Sequence, residues 1–159
     1  MIFLYHSILS KKILKNEVFY KMIKNLVKSW ENHKHELEMD ILANEEEYRY
    51  AEYDELVEKL IHFIFNTEEM LGSASWYEYD MNHENTIDDG DYQGTRIFFI
   101  NRDSYQPSET DYIVTFVYYG SCTSCDALQG AQSCDLEMMK DDLMTLFLHM
   151  IQKSKYLYD

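Results

Sequence analysis

Two of the three cysteines, Cys122 and Cys125, are separated by two residues in the segment Gly-Ser-Cys-Thr-Ser-Cys-Asp. Thiolates at this spacing can hold one edge of a tetrahedral zinc ion, and Cys134 is a candidate third ligand. The candidates for a fourth ligand are Asp126, His83 and His149. Structural zinc sites normally show two ligand pairs and only one is visible here, so zinc binding is one of three open interpretations.

The same cysteine pair also admits a redox interpretation and a purely structural one. Redox-active pairs of this spacing sit at a helix N-terminus after a β-α-β start, where the helix dipole lowers the thiol pKa. Here the pair follows a late strand instead. The third interpretation is a tight turn carrying two small thiols.

A second cluster of chemically capable residues is acidic. Residues 78–91 contain six Asp or Glu and no Lys or Arg, and they end in Asp88-Asp89-Gly90-Asp91. This run lacks the alternate spacing and the closing Glu of an EF-hand, so calcium is a weak expectation. A solvated turn and a protein-contact surface are the better interpretations.

Catalytic signatures are missing from the sequence. None of the six histidines forms a His-x-x-x-His or His-Glu-x-x-His pair. The chain also has no Gly-x-Ser-x-Gly elbow, no P-loop and no dinucleotide fingerprint. We therefore expect a protein that is not an enzyme and that has no cofactor, apart from the zinc alternative.

The charge balance restricts the class of partner. The chain has 14 Lys and Arg against 29 Asp and Glu, a net charge of −15. Residues 1–28 hold six Lys and one Glu (+5), which leaves −20 for residues 29–159. Such a body repels phosphate backbones, so direct nucleic-acid binding is disfavoured, and a basic protein surface or divalent cations are favoured. The simpler alternative is that the charge only maintains solubility.

The chain's beginning and its cysteine count predict a cytoplasmic protein. Apolar residues precede Lys11 and Lys12, the reverse of the order in a secretory signal, and an odd number of cysteines argues against a disulfide scaffold. No apolar run is long enough to span a bilayer, so no membrane association is expected. Met22 is an alternative start, which would make residues 1–21 an extension and residues 22–159 a single α+β domain.

Hydrophobic periodicity predicts the helices. A first apolar stripe comprises Ile23, Leu26, Val27, Trp30, Leu37 and Ile41. A second comprises Tyr53, Leu56, Val57, Leu60, Ile61, Ile64 and Phe65, and its helix is expected to end near Gly72. The C-terminal helix should begin near Asp135, with Met139, Leu143, Leu146, Phe147, Met150 and Ile151 on its apolar face.

Between these helices the pattern changes to that of strands. Strands are predicted at residues 76–81, 96–100 and 112–119, with a polar loop over residues 83–94. The almost wholly apolar residues 96–100 predict a central strand covered on both faces. The fold class is therefore α+β: a small antiparallel sheet of about three strands, with N-terminal helices and a C-terminal helix packed on it.

Tyrosine is unusually common, at 14 of 159 residues. Several tyrosines adjoin the acidic run or the cysteine pair, including Tyr92, Tyr118 and Tyr119. Tyrosine is enriched at binding hot spots, although a small β-rich core would also use aromatic residues. The predicted partner-binding residues are Asp88, Asp89, Asp91, Tyr92, Gln93, Tyr118, Tyr119 and Asp126.

Three segments carry a resemblance to a known group of proteins. They are Asp-Asp-Gly-Asp-Tyr-Gln-Gly-Thr at residues 88–95, Tyr-Gln-Pro-Ser at residues 105–108, and residues 118–130, in which Tyr-Tyr-Gly-Ser-Cys-x-x-Cys-Asp-x-Leu-Gln-Gly is read. In order and spacing the chain from about residue 30 to 155 resembles small proteins encoded by phages and prophages of low-GC Gram-positive bacteria. Cys134 and the N-terminal residues depart from the shared pattern.

The resemblance implies a phage-related origin and an α+β domain, and it implies no activity. Together with the charge, it suggests an inhibitor or modulator of a host defence protein, of which anti-CRISPR proteins are one case. The partner would be a host protein with a basic surface, such as a defence nuclease. The alternatives are a metal- or thiol-dependent protein using Cys122 and Cys125, and a virion structural or assembly protein that would form a homo-oligomer.

Overall fold

A computed structural model describes residues 2–72 and 77–157, with the side chains of residues 2–16, 82–85 and 110 excepted. Trp76, predicted to begin the first strand, and the side chain of His83 lie outside the described residues. Within them the chain forms an α+β fold, as the sequence predicts, with one antiparallel four-stranded sheet. No helix in the described part of the chain is both long and apolar enough to cross a membrane.

Four helices precede the first three strands in the sequence and two follow them, and they pack against one face of the sheet. Their bounds are α1 Ile2–Ala43, α2 Glu45–Tyr50, α3 Tyr53–Leu60, α4 Glu68–Leu71, α5 Ala127–Gln132 and α6 Leu136–Lys153. A π-helical turn, Ile61–Phe65, continues α3, and a short 3-10 helix, Glu109–Asp111, precedes the third strand.

The long helix α1 turns four of the six residues of its predicted apolar stripe toward the core, and two away from it. Met22, Leu26, Leu37 and Ile41 are buried, whereas Ile23 and Val27 of the predicted stripe are about half exposed. Between the buried Leu26 and Leu37, the buried Ser29 hydroxyl contacts Ile64 O at 2.7 Å and Thr67 Oγ1 at 2.9 Å. This polar contact fixes α1 against the π-helical turn, because a buried hydroxyl needs a partner.

The second and third apolar stripes are confirmed by burial. All seven residues of the second stripe are buried along α3 and its π-helical continuation. The six predicted residues of α6 are also buried, and Asp135 caps the start of that helix by accepting from Met138 N at 3.1 Å. Fully burying an aliphatic or aromatic side chain contributes about 1.5–3 kcal/mol, so these two faces supply much of the fold's stability.

The sheet has the order β1-β2-β3-β4, with β1 Tyr79–Asp88, β2 Gly94–Arg102, β3 Tyr112–Tyr119 and β4 Lys155–Tyr156. The third predicted strand, residues 112–119, coincides with β3, and the second lies within β2. The two-residue β4 follows α6 and pairs with Ile113 and Val114. Its brevity leaves no detectable periodicity, so the sequence does not predict it.

The first strand lies later in the chain than predicted. β1 begins at Tyr79 and includes residues 83–88, which the polar composition assigns to a loop. Its pairing with β2 is irregular: between Met81 and Thr86 β1 advances by five residues while β2 advances by two, from Ile100 to Phe98. Such a bulge tolerates polar residues and breaks the alternation on which strand prediction depends.

In the described part of the chain, helices cover one face of the sheet and leave the other open. Phe98, Ile100 and Ile113 on that face are fully buried, and the Thr115 hydroxyl donates to Met150 O of α6 at 2.7 Å. On the opposite face Ile87 and Tyr118 are exposed. The expectation that the central strand is covered on both faces is therefore wrong. Its apolar residues on the outer face are instead sheltered partly by cross-strand neighbours.

Candidate functional site

The acidic residues lie at a hairpin, because β1 ends at Asp88 and β2 begins at Gly94. The Asp89 carboxylate accepts from Thr95 N at 2.5 Å and closes the loop across its base. A Cβ at Gly94 would lie 2.7 Å from Asp89 Oδ1 and 2.9 Å from Gly90 N. Glycine is therefore needed here for close packing of the loop on itself, and the loop has a defined shape.

Tyr119, at the end of β3, ties this loop to the neighbouring strand. Its hydroxyl lies 2.5 Å from Asp88 Oδ1 and 2.6 Å from Gly90 O. The hydrogen bond from Tyr119 lowers the pKa of Asp88, and the same bond to Asp88 raises the pKa of Tyr119 to about 12. Asp88 is thus ionised and Tyr119 protonated at neutral pH, the pair of states that preserves the bond.

The structure brings seven of the eight predicted partner-binding residues together around this hairpin. We call this set the acidic surface: Asp88, Asp89, Asp91, Tyr92, Gln93, Tyr118 and Tyr119. Tyr92 is 81% exposed and Tyr118 is 64% exposed. Asp89, Asp91 and Gln93 are also exposed. The hairpin therefore carries neighbouring carboxylates and the open ring of Tyr92, whereas Tyr118 pairs with Thr95 and turns its ring to the outer face of the sheet, beneath the Lys153 ammonium.

Asp126, the eighth predicted residue, is buried. Its carboxylate accepts from Gly120 N at 3.0 Å, from Gln129 N at 2.9 Å and from the Tyr53 hydroxyl at 3.1 Å. Contact of this side chain with a partner, as predicted from the sequence, does not agree with its 4% exposure. The buried Asp126 side chain stabilises the cysteine turn, because it caps α5 and binds the backbone at both ends of that turn.

Cys122 and Cys125 lie on the exposed turn between β3 and α5. Cys122 N donates to Cys125 Sγ at 2.9 Å, and Cys125 Sγ lies 3.1 Å from Cys122 O. Hydrogen bonding from the Cys125 thiol, followed by that from Ser124, lowers the pKa of Cys122 to about 7, while the pKa of Cys125 is raised. A Cβ at Gly120 would lie 2.6 Å from Cys125 Sγ, so the turn packs directly onto the end of β3.

The metal alternative finds little geometric support in the described part of the chain. There, no three His, Cys, Asp or Glu side chains are grouped as ion ligands would be. Cys134 lies apart from the pair, with its Sγ 3.4 Å from Gly130 O and 4.0 Å from Asp142. The carboxylate of Asp126 is already occupied by three donors, and His149 lies along a groove beside Cys125.

A cleft of about 430 Å³ adjoins the acidic surface, and no pattern in the sequence indicates it. One wall includes Asp88 and Tyr119, and the other is the connection between α2 and α3. Arg96 of β2 lines the cleft and pairs with Asp54 at 2.9 Å, while its Nε lies 3.9 Å from Asp88. Arg49 also lines it, donating to Gln132 O at 2.7 Å and pairing with Glu45.

These arginines carried only a weak sequence signal. Arg96 lies on the same inward face of β2 as Phe98 and Ile100. A cationic side chain is rarely placed on a buried face unless a carboxylate pairs with it. The acid is Asp54 on α3, and no spacing rule connects residues so far apart in sequence. Carboxylates of the same chain pair with both arginines. The cleft therefore gives the acidic surface a concave edge, and the arginines do not make that edge basic.

No known protein family, curated protein or solved structure matches this chain. The fold and the site define an acidic α+β protein with a rigid, tyrosine-bearing hairpin and an exposed dithiol turn.

Proposed function

We propose that this chain is a non-enzymatic, phage-encoded interaction protein that docks through its acidic surface on a basic surface of a bacterial host protein. The observation that carries the proposal is the bond from Tyr119 to Asp88 and Gly90, which holds the acidic loop against β3. A surface held rigid before binding loses little conformational entropy when a partner docks. The most plausible partner class is a defence nuclease, and the site of action is the host cytoplasm.

Charge and side-chain chemistry support this class of partner. A net charge of −15 steers the protein toward a basic groove and increases the rate of encounter. The exposed ring of Tyr92 supplies contact area next to the carboxylates, and Tyr118 adds a second exposed ring on the outer face of the sheet. Tyrosine and arginine are both enriched at hot spots, and arginine is abundant in grooves that bind nucleic acid.

The test is capture of a partner from a lysate of a low-GC Gram-positive host by tagged protein, identified by mass spectrometry. The variant Asp88→Lys/Asp89→Lys/Asp91→Lys reverses the charge of the acidic surface. The control Glu46→Lys/Glu68→Lys/Glu137→Lys makes the same change in net charge at exposed sites elsewhere. We expect the first variant to lose at least ten-fold in capture of a basic, stoichiometric partner, and the control to retain most of it.

Asp88 and Asp89 also make hydrogen bonds within the hairpin, so a second variant separates binding from folding. Asp91→Lys/Tyr92→Ala changes two exposed side chains and leaves those bonds in place. It should unfold at the wild-type temperature and still capture the partner poorly. Equal capture by wild type and both surface variants would contradict the proposal.

The exposed thiols favour a second, separate candidate function. A Cys122 pKa of about 7 places a large fraction of this side chain in the nucleophilic thiolate form at neutral pH. We propose thiol-dependent chemistry at the cysteine turn as the alternative function. Replacing Cys122 and Cys125 by Ser distinguishes the two, because partner capture through the acidic surface should survive the change.

A further inference from the structure

A groove of about 530 Å³ runs between α1 and the end of α6, and it shares no residue with the acidic surface. Its α1 wall includes Phe19, Ile23, Val27 and Trp30, and its α6 wall includes Ile151. The lining is mainly apolar. An apolar groove of this kind is typical of a surface that receives a helix.

The α1 wall of the groove continues as an exposed stripe. Phe19, Ile23 and Val27 are 39%, 42% and 56% exposed. They lie four residues apart, so their side chains follow one another along the same face of the helix. A contiguous exposed apolar stripe beside a groove indicates an interaction surface, whereas apolar residues scattered singly over a surface do not.

We propose that the occupant of this groove is α1 of a second copy, packed antiparallel about a two-fold axis near Ile23. An axis at this position places Ile23 opposite Ile23 of the second copy, and Phe19 opposite Val27 of the second copy. The same apolar stripe then forms both sides of the interface. The exposed stripes of the two copies are then buried against each other. Leu148 and Ile151 of α6 flank the contact from each side.

Charge complementarity selects this arrangement. With Ile23 opposite Ile23, residues 2–15 of one copy run alongside residues 31–44 of the other. Residues 2–15 contain three Lys and no acid (+3), whereas residues 31–44 contain four acids and one Lys, and they keep a charge of −2 when Asp40, which pairs with Lys59 of its own chain, is left out. A parallel pair would instead set like charges side by side along the whole length.

The length of α1 is sufficient for a stable interface. Its 42 residues extend about 63 Å at 1.5 Å per residue. Among the described side chains of α1, those buried against the body begin at Met22. Residues 17–21, whose side chains are exposed or partly exposed, are available to the second copy. A stable dimer needs about 1,200 Å² of buried surface in total.

Sedimentation equilibrium of the full chain over a wide concentration range tests the proposal. We expect a species of twice 19.1 kDa whose dissociation constant rises with salt. Ile23→Glu should raise that constant at least ten-fold. The matched control is Ile87→Glu, since Ile87 is similarly exposed at 51% but lies on the outer face of the sheet.

A crosslinking experiment tests the two-fold axis itself. In a Cys122→Ser/Cys125→Ser/Cys134→Ser background, Ile23→Cys should give a covalent dimer with a short bismaleimide, and Ile87→Cys should not. A monomer at every concentration, an oligomer other than a dimer, equal effects of Ile23→Glu and Ile87→Glu, or a monomer that binds anionic vesicles would each overturn the proposal.

Discussion

At the scale of single residues, hydrogen bonds around three side chains determine what the site presents. Asp88 is held by Tyr119, Asp126 is buried under the cysteine turn, and Cys122 is acidified by Cys125. The sequence predicted that these residues would matter and placed all three near one surface. It did not predict that Asp126 faces inward, because the donors that satisfy it, including the Tyr53 hydroxyl, come from distant parts of the chain.

The bond between Tyr119 and Asp88 has a consequence for pH dependence. Because it lowers the folded-state pKa of Asp88 below the ordinary 3.8, the bond stabilises the fold above that pH and is lost as pH falls through the folded-state value. Tyr119→Phe should raise the Asp88 pKa toward 3.8, as followed by carboxyl-carbon NMR. The control Tyr118→Phe should leave it unchanged, and an Asp88 pKa unaffected by Tyr119→Phe would contradict the structure.

The cysteine turn predicts selective alkylation. Cys122 should react with iodoacetamide along a pH profile with a midpoint of about 7, two units below its ordinary 9.0. Cys125→Ala removes the principal hydrogen bond to the Cys122 sulfur and should move the midpoint upward. Peptide mass spectrometry separates the three sites, with Cys134 as an internal comparison. A Cys122 midpoint near 9 would show that the turn does not acidify its thiol.

At the scale of secondary-structure elements, hydrophobic periodicity correctly predicted the long and regular helices and strands. The stripes of α3 and α6 and the strand β3 were correct because each buries a single face against one neighbour. Residues 83–88 of β1 were wrongly assigned to a loop because the bulge interrupts the alternation, and α5 and β4 were missed because they are too short for a period to be read. For α1 the helix was predicted, but two residues of its stripe face outward.

The one-sided cover of the sheet gives a matched pair of substitutions on neighbouring residues of β2. Phe98 is fully buried beneath the helices, whereas Phe99 lies on the outer face and is partly exposed. Phe98→Ala should cost about 3–5 kcal/mol of unfolding free energy through lost burial and a cavity. Phe99→Ala should cost less than half as much. Urea denaturation measures both, and equal losses would show that both faces are covered.

At the scale of the whole molecule, the two associations that we propose use separate surfaces of different charge. The basic start of α1 complements the acidic residues that follow on the same helix, while the hairpin keeps its own acids exposed. The sequence predicted this asymmetry fully, since charge is additive along a chain. The apolar groove between α1 and α6 depends on tertiary packing and was not predicted.

The central claim is that the acidic surface occupies a basic groove that otherwise holds nucleic acid. The most direct measurement is displacement of a fluorescent oligonucleotide from the purified host partner by increasing amounts of this protein. We predict stoichiometric displacement by wild type and by the Glu46→Lys/Glu68→Lys/Glu137→Lys control, and displacement weakened at least ten-fold for Asp91→Lys/Tyr92→Ala. A partner that binds this protein and the oligonucleotide together, or displacement unaffected by Asp91→Lys/Tyr92→Ala, would contradict it.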